Sequence, residues 1–215
     1  MIKAAIFDMD GTLLDTEQVY SDSFLDVTKA YGLPGLDHVF MQLVGVSGEG
    51  TKRILTPHLK DKVSFDQFLE DWFEGVGARL SEVVPVKEGA LELLAMLRDK
   101  GLPIALATSS SHENAVSHLT KAGLIGFFEH IVGGDDVVNR KPDPEPFLKA
   151  SELLEVNIKD CVIFEDSEPG TLGAVRSGGQ VVQIPDLTEP GPETQALGHV
   201  IAPNLLRGAR EIGII

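Results

Sequence analysis

The chain is poor in several things, and each shortage excludes something. It has one cysteine, Cys161, among 215 residues. No disulfide framework can form within it, which suits a reducing, cytoplasmic setting. Positive charge is scarce: 18 Lys and Arg stand against 33 Asp and Glu, a formal net charge of −15. That balance argues against nucleic acid or an anionic membrane surface as a partner. Long apolar runs are missing. The N-terminal run is broken by Lys3 and closed by Asp8, so it reads as neither a signal peptide nor a spanning helix. Metal-ligand histidine spacing is missing too. His112 and His118 are not an i, i+4 pair, and His38, His58, His130 and His199 are isolated, so all six read as structural or solvated. No repeat or low-complexity tract stands out.

What remains is an ordinary globular composition, 43% hydrophobic and 24% charged, enough for one domain or one domain carrying an insertion. Short apolar runs predict strands at Ala4–Phe7, Pro103–Ala107, Ile131–Val132, Val162–Phe164, Val181–Ile184 and Val200–Ile201. Amphipathic stretches between them predict helices at Glu88–Lys100, His112–Ala122, Glu145–Leu154 and Gly170–Ser177, three of them followed at once by Gly. The alternation implies an α/β fold, a Rossmann-like parallel sheet with right-handed crossovers. From Thr16 to Leu80 the rhythm changes to helical patterns alone, at Glu17–Ala30, Gly50–Leu59 and Phe65–Leu80. The expected organisation is a discontinuous core, 1–15 and 81–215, with a helical insertion, 16–80, placed after the first strand to cover the carboxyl edge of the sheet. The Pro-rich stretch from Ile184 to Pro192 reads as a loop.

The chemistry starts where the first strand ends. Asp8 and Asp10, two residues apart, sit at its carboxyl end, the edge at which open α/β sheets bind ligands. Two acids there are costly unless a cation or a reaction needs them. Gly11 permits a sharp turn with backbone N–H groups facing an anion. Glu165-Asp166 repeats the pattern after a later strand. Asp166 with Asp8 and Asp10 would complete a hard, oxygen-only site of the kind Mg²⁺ takes. Thr108-Ser109-Ser110-Ser111 opens a helix after another strand. It reads either as a phosphate-binding turn through Thr108 and Ser109 or as plain capping, with Ser111 the natural cap. Lys141, between Arg140 and Pro142, is one cation held in a stiff turn. An acidic protein acting on a phosphate needs such a local positive group. Asn139 and Asp135-Asp136 read as ordinary loop residues.

Acid pair, hydroxyl turn, lone Lys and second acid pair, in that chain order and each after a strand, resemble the four motifs of the haloacid dehalogenase (HAD) superfamily. The resemblance covers the whole chain, and the inserted helices look like that family's C1 cap. It implies that Asp8 is the nucleophile and that Asp10 is the acid and base. It further implies that Lys141, Thr108 or Ser109 and Gly11 bind the transferring phosphate, and that Mg²⁺ is held by Asp8, Asp10, Asp166 and Glu165. Glu165 is either a direct ligand or a support. An acid two residues after the nucleophile favours phosphate esters over haloacids, because an alkoxide needs a proton and a halide does not. The expected reaction is hydrolysis of a small phosphorylated metabolite, a sugar phosphate or nucleoside monophosphate, through an aspartyl-phosphate. Glu17, Tyr20, Val46 and Ser47 are the candidates for substrate selectivity. The layout resembles the β-phosphoglucomutase and pseudouridine-5′-phosphatase-like branch. A mutase is the alternative, weakened because Tyr20 and Gly48 stand where that branch uses a His and an Arg, although Lys52 or Arg53 could replace the Arg. A non-catalytic binding scaffold is the alternative of another class. The expected partner is a small phosphate ester, with no nucleic acid or membrane, and the chain is expected to act as a monomer or at most a dimer.

Overall fold

The computed structural model describes residues 1–44, 46, 48–59, 61–82 and 84–215. The chain divides into two compact units, Met1–Asp15 with Pro85–Ile215, and Thr16–Val84.

The first unit begins with β1 (Ala4–Phe7), after which the chain leaves for the second unit. That unit holds α1 (Thr16–Ala30), α2 (Asp37–Leu43), α3 (Glu49–Leu59) and α4 (Phe65–Glu82). The first unit then resumes with α5 (Ala90–Asp99), β2 (Ile104–Ala107), α6 (His112–Lys121), β3 (His130–Val132) and α7 (Glu145–Leu153). It ends with β4 (Cys161–Glu165), α8 (Glu168–Ser177), β5 (Gln180–Gln183), α9 (Pro192–Gln195), β6 (Val200–Ile201) and α10 (Leu205–Glu211).

The six strands form one parallel sheet in the order β3-β2-β1-β4-β5-β6. The order reverses between β1 and β4, the switch point at which such sheets open a crevice. Strand alternation sends Ala4, Ile6, Cys161 and Ile163 to one face, where they pack with Phe147, Ala150 and Ala174 from α7 and α8. Phe7 and Phe164 are register partners, stacked with centroids 4.7 Å apart. Near-continuous apolar strands are what burial on both faces demands. Ser111 caps α6 by accepting from the Asn114 N–H, and Ser167 caps α8 by accepting from the Gly170 N–H. Gly178, at φ 87°, ends α8 in the left-handed conformation glycine tolerates.

The second unit is organised around aromatic rings. Phe24 and Phe68 are fully buried. Phe24 lies 5.2 Å from Trp72 and 5.5 Å from Phe40, centroid to centroid. The indole N–H of Trp72 donates to the Tyr20 carbonyl at 2.9 Å, so α4 is tied to α1 by one polar bond within an apolar seam.

Several elements depart from the sequence reading. Helix α2 forms between the expected helices Glu17–Ala30 and Gly50–Leu59, where the sequence reading places none. Its N-terminus at Leu36 has no side-chain cap bond, so the usual start signal is missing. It is held by Val39, Phe40 and Leu43, all buried. Helix α4 runs two residues past the expected Leu80. Helix α9 begins at Pro192, the last residue of the Pro-rich stretch read as a loop, and α10 follows β6 where the sequence reading places no helix.

Candidate active site

Asp8 leaves β1 still on the ladder, its N–H donating to the Phe164 carbonyl at 2.9 Å. That bond points it at β4, whose end carries Glu165 and Asp166. Among the described residues, oxygens of Asp8, Glu165 and Asp166 lie within 4.8 Å of one another. Lys141 enters from the loop before α7. Its Nζ donates to Asp8 Oδ1 at 2.5 Å and to Glu165 Oε1 at 2.8 Å, and it lies 4.9 Å from the Phe147 ring centroid. The Lys141, Asp8 and Glu165 side chains are 4%, 8% and 1% exposed, so the ion pairs sit in a medium that screens little.

Glu165 is shaped to receive that lysine. Its Oε2 accepts from both the N–H and the hydroxyl of Ser167, at 2.7 and 2.9 Å. Gly170 makes the room, because a Cβ there would overlap the Glu165 carboxylate. Asp166 is oriented by the Thr12 hydroxyl, which donates to its Oδ1 at 2.9 Å. Its carbonyl accepts from Gln183 Nε2 at 3.1 Å, and Gln183 in turn pairs with His199 at 2.8 Å.

Burial dominates the electrostatics. It pushes the Asp8 carboxyl up to about 8, against the pull of Lys141 and with the help of the charges on Glu165 and Asp10. Burial works to lower the Lys141 ammonium as well, but the charges of Asp8 and Glu165 and its hydrogen bonds to them outweigh it, so the amine is held above its ordinary value. One ammonium facing several acids leaves the pocket short of positive charge. The oxygen-only donor set of Asp8, Glu165 and Asp166 fits a hard divalent cation such as Mg²⁺.

Two of the expected site residues make hydrogen bonds that the sequence does not indicate. Asp10, grouped with the cation ligands from sequence, is not in the close acidic set. It lies at an isolated bridge to Leu14, and its Oδ2 accepts from the Ser110 hydroxyl at 2.8 Å. One oxygen of its carboxylate is thus bonded to the turn after β2. The Gly11 N–H, expected to face an anion, donates to the Leu14 carbonyl at 2.8 Å. What Gly11 supplies is space and a left-handed turn. It sits at φ 81°, and a Cβ there would strike the Asp166 carboxylate.

The hydroxyl turn after β2 divides its work. Thr108 is buried, donates its N–H to the Val132 carbonyl at 2.9 Å, and accepts from the Ser110 N–H at 3.1 Å. Ser109 is exposed. Ser110, not singled out from sequence, is the residue that reaches Asp10. The loop after β3 clasps this turn. Asp135 accepts from the His112 N–H at 2.7 Å, and Asp136 accepts from the Gly133 N–H and pairs with the His112 ring, both at 2.8 Å. Gly134 N–H donates to the Ser110 carbonyl at 2.7 Å. A Cβ on Gly133 or Gly134 would meet the turn's backbone. Asp135 and Asp136, read as ordinary loop residues, thus brace the turn. The only sequence trace of this is a Gly-Gly-Asp-Asp run directly after a strand.

In the helical unit, Glu17, Tyr20 and Val46 line a cavity of about 620 Å³ with Phe65, Trp72 and Phe73. Tyr20 stands edge-on to Trp72 and Phe73, each at 6.3 Å. Lys52 Nζ lies 5.7 Å from the Phe65 ring centroid, and Gly48 also lines the cavity. Ser47 lies outside the described residues. No described helix is long and apolar enough to cross a membrane.

Comparison with known proteins agrees with this arrangement. The profile of the haloacid dehalogenase-like hydrolase family matches residues 5–184. A phosphorylated carbohydrates phosphatase of Thermotoga maritima is 35% identical over 82% of this chain and 82% of its own length. A probable pseudouridine-5′-phosphatase of Drosophila melanogaster is 33% identical over 92% of this chain and 87% of its own. Among solved structures, a HAD family hydrolase from Deinococcus radiodurans, crystallised with bound phosphate and sodium, superposes with a TM-score of 0.83. It is 27% identical, over 100% of this chain and 97% of that one. The chain belongs to the haloacid dehalogenase-like hydrolase family.

Proposed function

We propose that this chain is a Mg²⁺-dependent phosphomonoester hydrolase that works through an aspartyl-phosphate on a small phosphorylated metabolite. The observation that carries the reading is the buried Lys141 ammonium clamped on Asp8, with a second acid, Asp10, two residues along and hydrogen-bonded to Ser110. A carboxylate oxygen of Asp8 attacks phosphorus in line. The leaving oxygen takes a proton from Asp10. In the second half Asp10 takes a proton from water, which cleaves the acyl phosphate and restores Asp8. Lys141 neutralises charge as it gathers on the transferring oxygens, and the Thr108 turn supplies hydrogen bonds there. Asp8, Asp10, Asp166 and Glu165 are the residues that would hold the Mg²⁺, and the close approach of oxygens of Asp8, Glu165 and Asp166 supports this. When bound, the cation offsets the repulsion between Asp8 and an anionic substrate.

The relatives named above act on phosphorylated carbohydrates and on a nucleoside monophosphate, which supports the same substrate range here. We assign selectivity to the helical unit, through Glu17, Tyr20, Val46 and Ser47. The aromatic lining of the cavity that the first three share supports this. Phosphate release, with and without Mg²⁺, across sugar phosphates, nucleotides and pseudouridine monophosphate tests the reading. Release that is lost with EDTA is the expected result. Conversion of glucose 1-phosphate to glucose 6-phosphate without release would replace it with the mutase reading.

A further inference from the structure

Lys141 has to stay beside Asp8, yet it stands on the loop between β3 and α7, with its neighbours Asn139 and Arg140 exposed. Helix α8 helps from one side: Arg176 donates to the Pro142 carbonyl at 3.1 Å. The other hold is Glu145. An acid in the first turn of a helix is favoured wherever it points, because the dipole is positive there. The Glu145 carboxylate, however, is bound to the loop that precedes its helix. Oε1 accepts from the Val138 N–H at 2.8 Å. Oε2 accepts from the Asn139 N–H at 2.8 Å and from Asn139 Nδ2 at 2.9 Å. These bonds hold the carboxyl below the ordinary range. Glu145 N–H donates to Asp143 Oδ1 at 3.0 Å, and Asp143 N–H to the Arg140 carbonyl at 2.9 Å.

The result is a closed ring of chain from Val138 to Glu145 with Lys141 inside it. Its N-terminal end is anchored by Val137, which packs on the core. Its C-terminal end is anchored by the buried Phe147, the ring Lys141 lies near. Val138 between them is 89% exposed and contributes its N–H rather than its side chain.

We propose that Glu145 is a positioning residue for Lys141: it cinches the 138–145 loop so that the ammonium meets the transferring phosphate oxygens without first having to order its own loop. This rests on the phosphatase reading and on the role given there to Lys141. Displacing a catalytic group by about 1 Å can cost 100-fold in rate, and loss of an outer partner typically costs 10- to 100-fold.

The test compares E145A, E145Q and K141A on a generic aryl phosphate with Mg²⁺, together with their thermal unfolding. In E145A, kcat should fall about 10- to 100-fold with KM within about twofold. E145Q keeps one amide oxygen for the loop N–H groups and should recover part of the loss, even if E145A itself folds poorly. Wild-type kcat in E145A beside an inactive K141A would overturn the inference alone. So would an E145Q no better than E145A, with kcat falling only in step with the unfolding midpoint. A K141A with wild-type kcat would instead remove the reading beneath it.

Discussion

The two units place their polar and aromatic side chains in opposite ways. In the sheet unit, charge is buried and each charged group is aimed by a partner. Lys141 has Asp8 and Glu165, Glu165 has Ser167, and Asp166 has Thr12. In the helical unit, the cavity is walled by rings, while its charged residues Glu17, Glu49, Lys52 and Asp66 stand at exposed or half-exposed positions. The first arrangement fixes a reaction, because a buried ion pair tolerates little displacement. The second fixes shape, because apolar contact is non-directional and can be re-cut one side chain at a time. A family that varies its substrates over one chemistry is built most simply in this way.

The comparison breaks first at Asp8 and Lys141, which should fail differently although they touch. In D8N the proposed nucleophile is gone, and turnover of an aryl phosphate should fall by about 10⁴-fold or more. Its folding should hold, because Lys141 keeps Glu165 and a neutral amide replaces a carboxyl that burial already favours in its protonated form. In K141A the rate should fall about 100- to 1,000-fold. Here stability should fall as well, by roughly 3–5 kcal/mol without metal, because Glu165 is left buried without its cation. Kinetics with parallel urea titrations in EDTA checks both. A D8N variant destabilised as much as K141A would show that the pair stabilises the fold rather than serving the reaction.

Much of the sheet unit is legible in sequence because its logic is local. Acids directly after the apolar runs Ala4–Phe7 and Cys161–Phe164 must lie at strand ends, and parallel pairing puts those ends on one edge. What is not legible depends on where a distant loop passes. Nothing in the run of four hydroxyl residues distinguishes Ser109 from Ser110. The choice is made by the loop after β3, which takes the Ser110 carbonyl and leaves Asp10 to the hydroxyl. The Gly11 N–H is lost to Leu14 for a similar reason, since the turn closes on itself before any ligand arrives. Asp135, Asp136 and Glu145 look like loop acids and act as hydrogen-bond acceptors for backbone. In the helical unit, α2 has no cap to announce it, and its three buried side chains acquire meaning only against Phe24 and Trp72.

A pH titration of stability sharpens the contrast, because the sheet unit buries a carboxyl, that of Asp8, whose affinity for protons rises on folding. The Asp8 carboxyl moves from 3.8 to about 8, chiefly through burial. Between those values the folded chain keeps a proton on Asp8 that the unfolded chain has released, so the Asp8 contribution to stability falls as pH rises from about 4 to about 8, while His118 and His199, lowered by burial, contribute with the opposite sign. Urea unfolding in EDTA should show that decline as the stability of the wild type minus that of D8N, and saturating Mg²⁺ should flatten the difference if the cation is held by Asp8. A difference that does not change through that range would mean that Lys141 keeps Asp8 ionised throughout.

The smallest expected effect is at Phe73. It is half-exposed, stacks on Trp72 with ring centroids 5.3 Å apart, and meets Tyr20 edge-on at the cavity wall. Truncation to Ala removes a ring that is only partly shielded from water, so the cost to folding should be roughly 1 kcal/mol. The fully buried Phe24 should cost about 3–5 kcal/mol on the same change. If the cavity wall sets selectivity, F73A should raise KM for substrates with a large leaving group and leave kcat on the smallest aryl phosphate unchanged. The reacting groups would be intact, and only a piece of the apolar wall would be missing. That pattern would separate shape from chemistry along the division between the two units. A fall in kcat of the same size for every substrate would join them again, because it would mean that a ring among α1 and α4 is needed for the phosphoryl step itself.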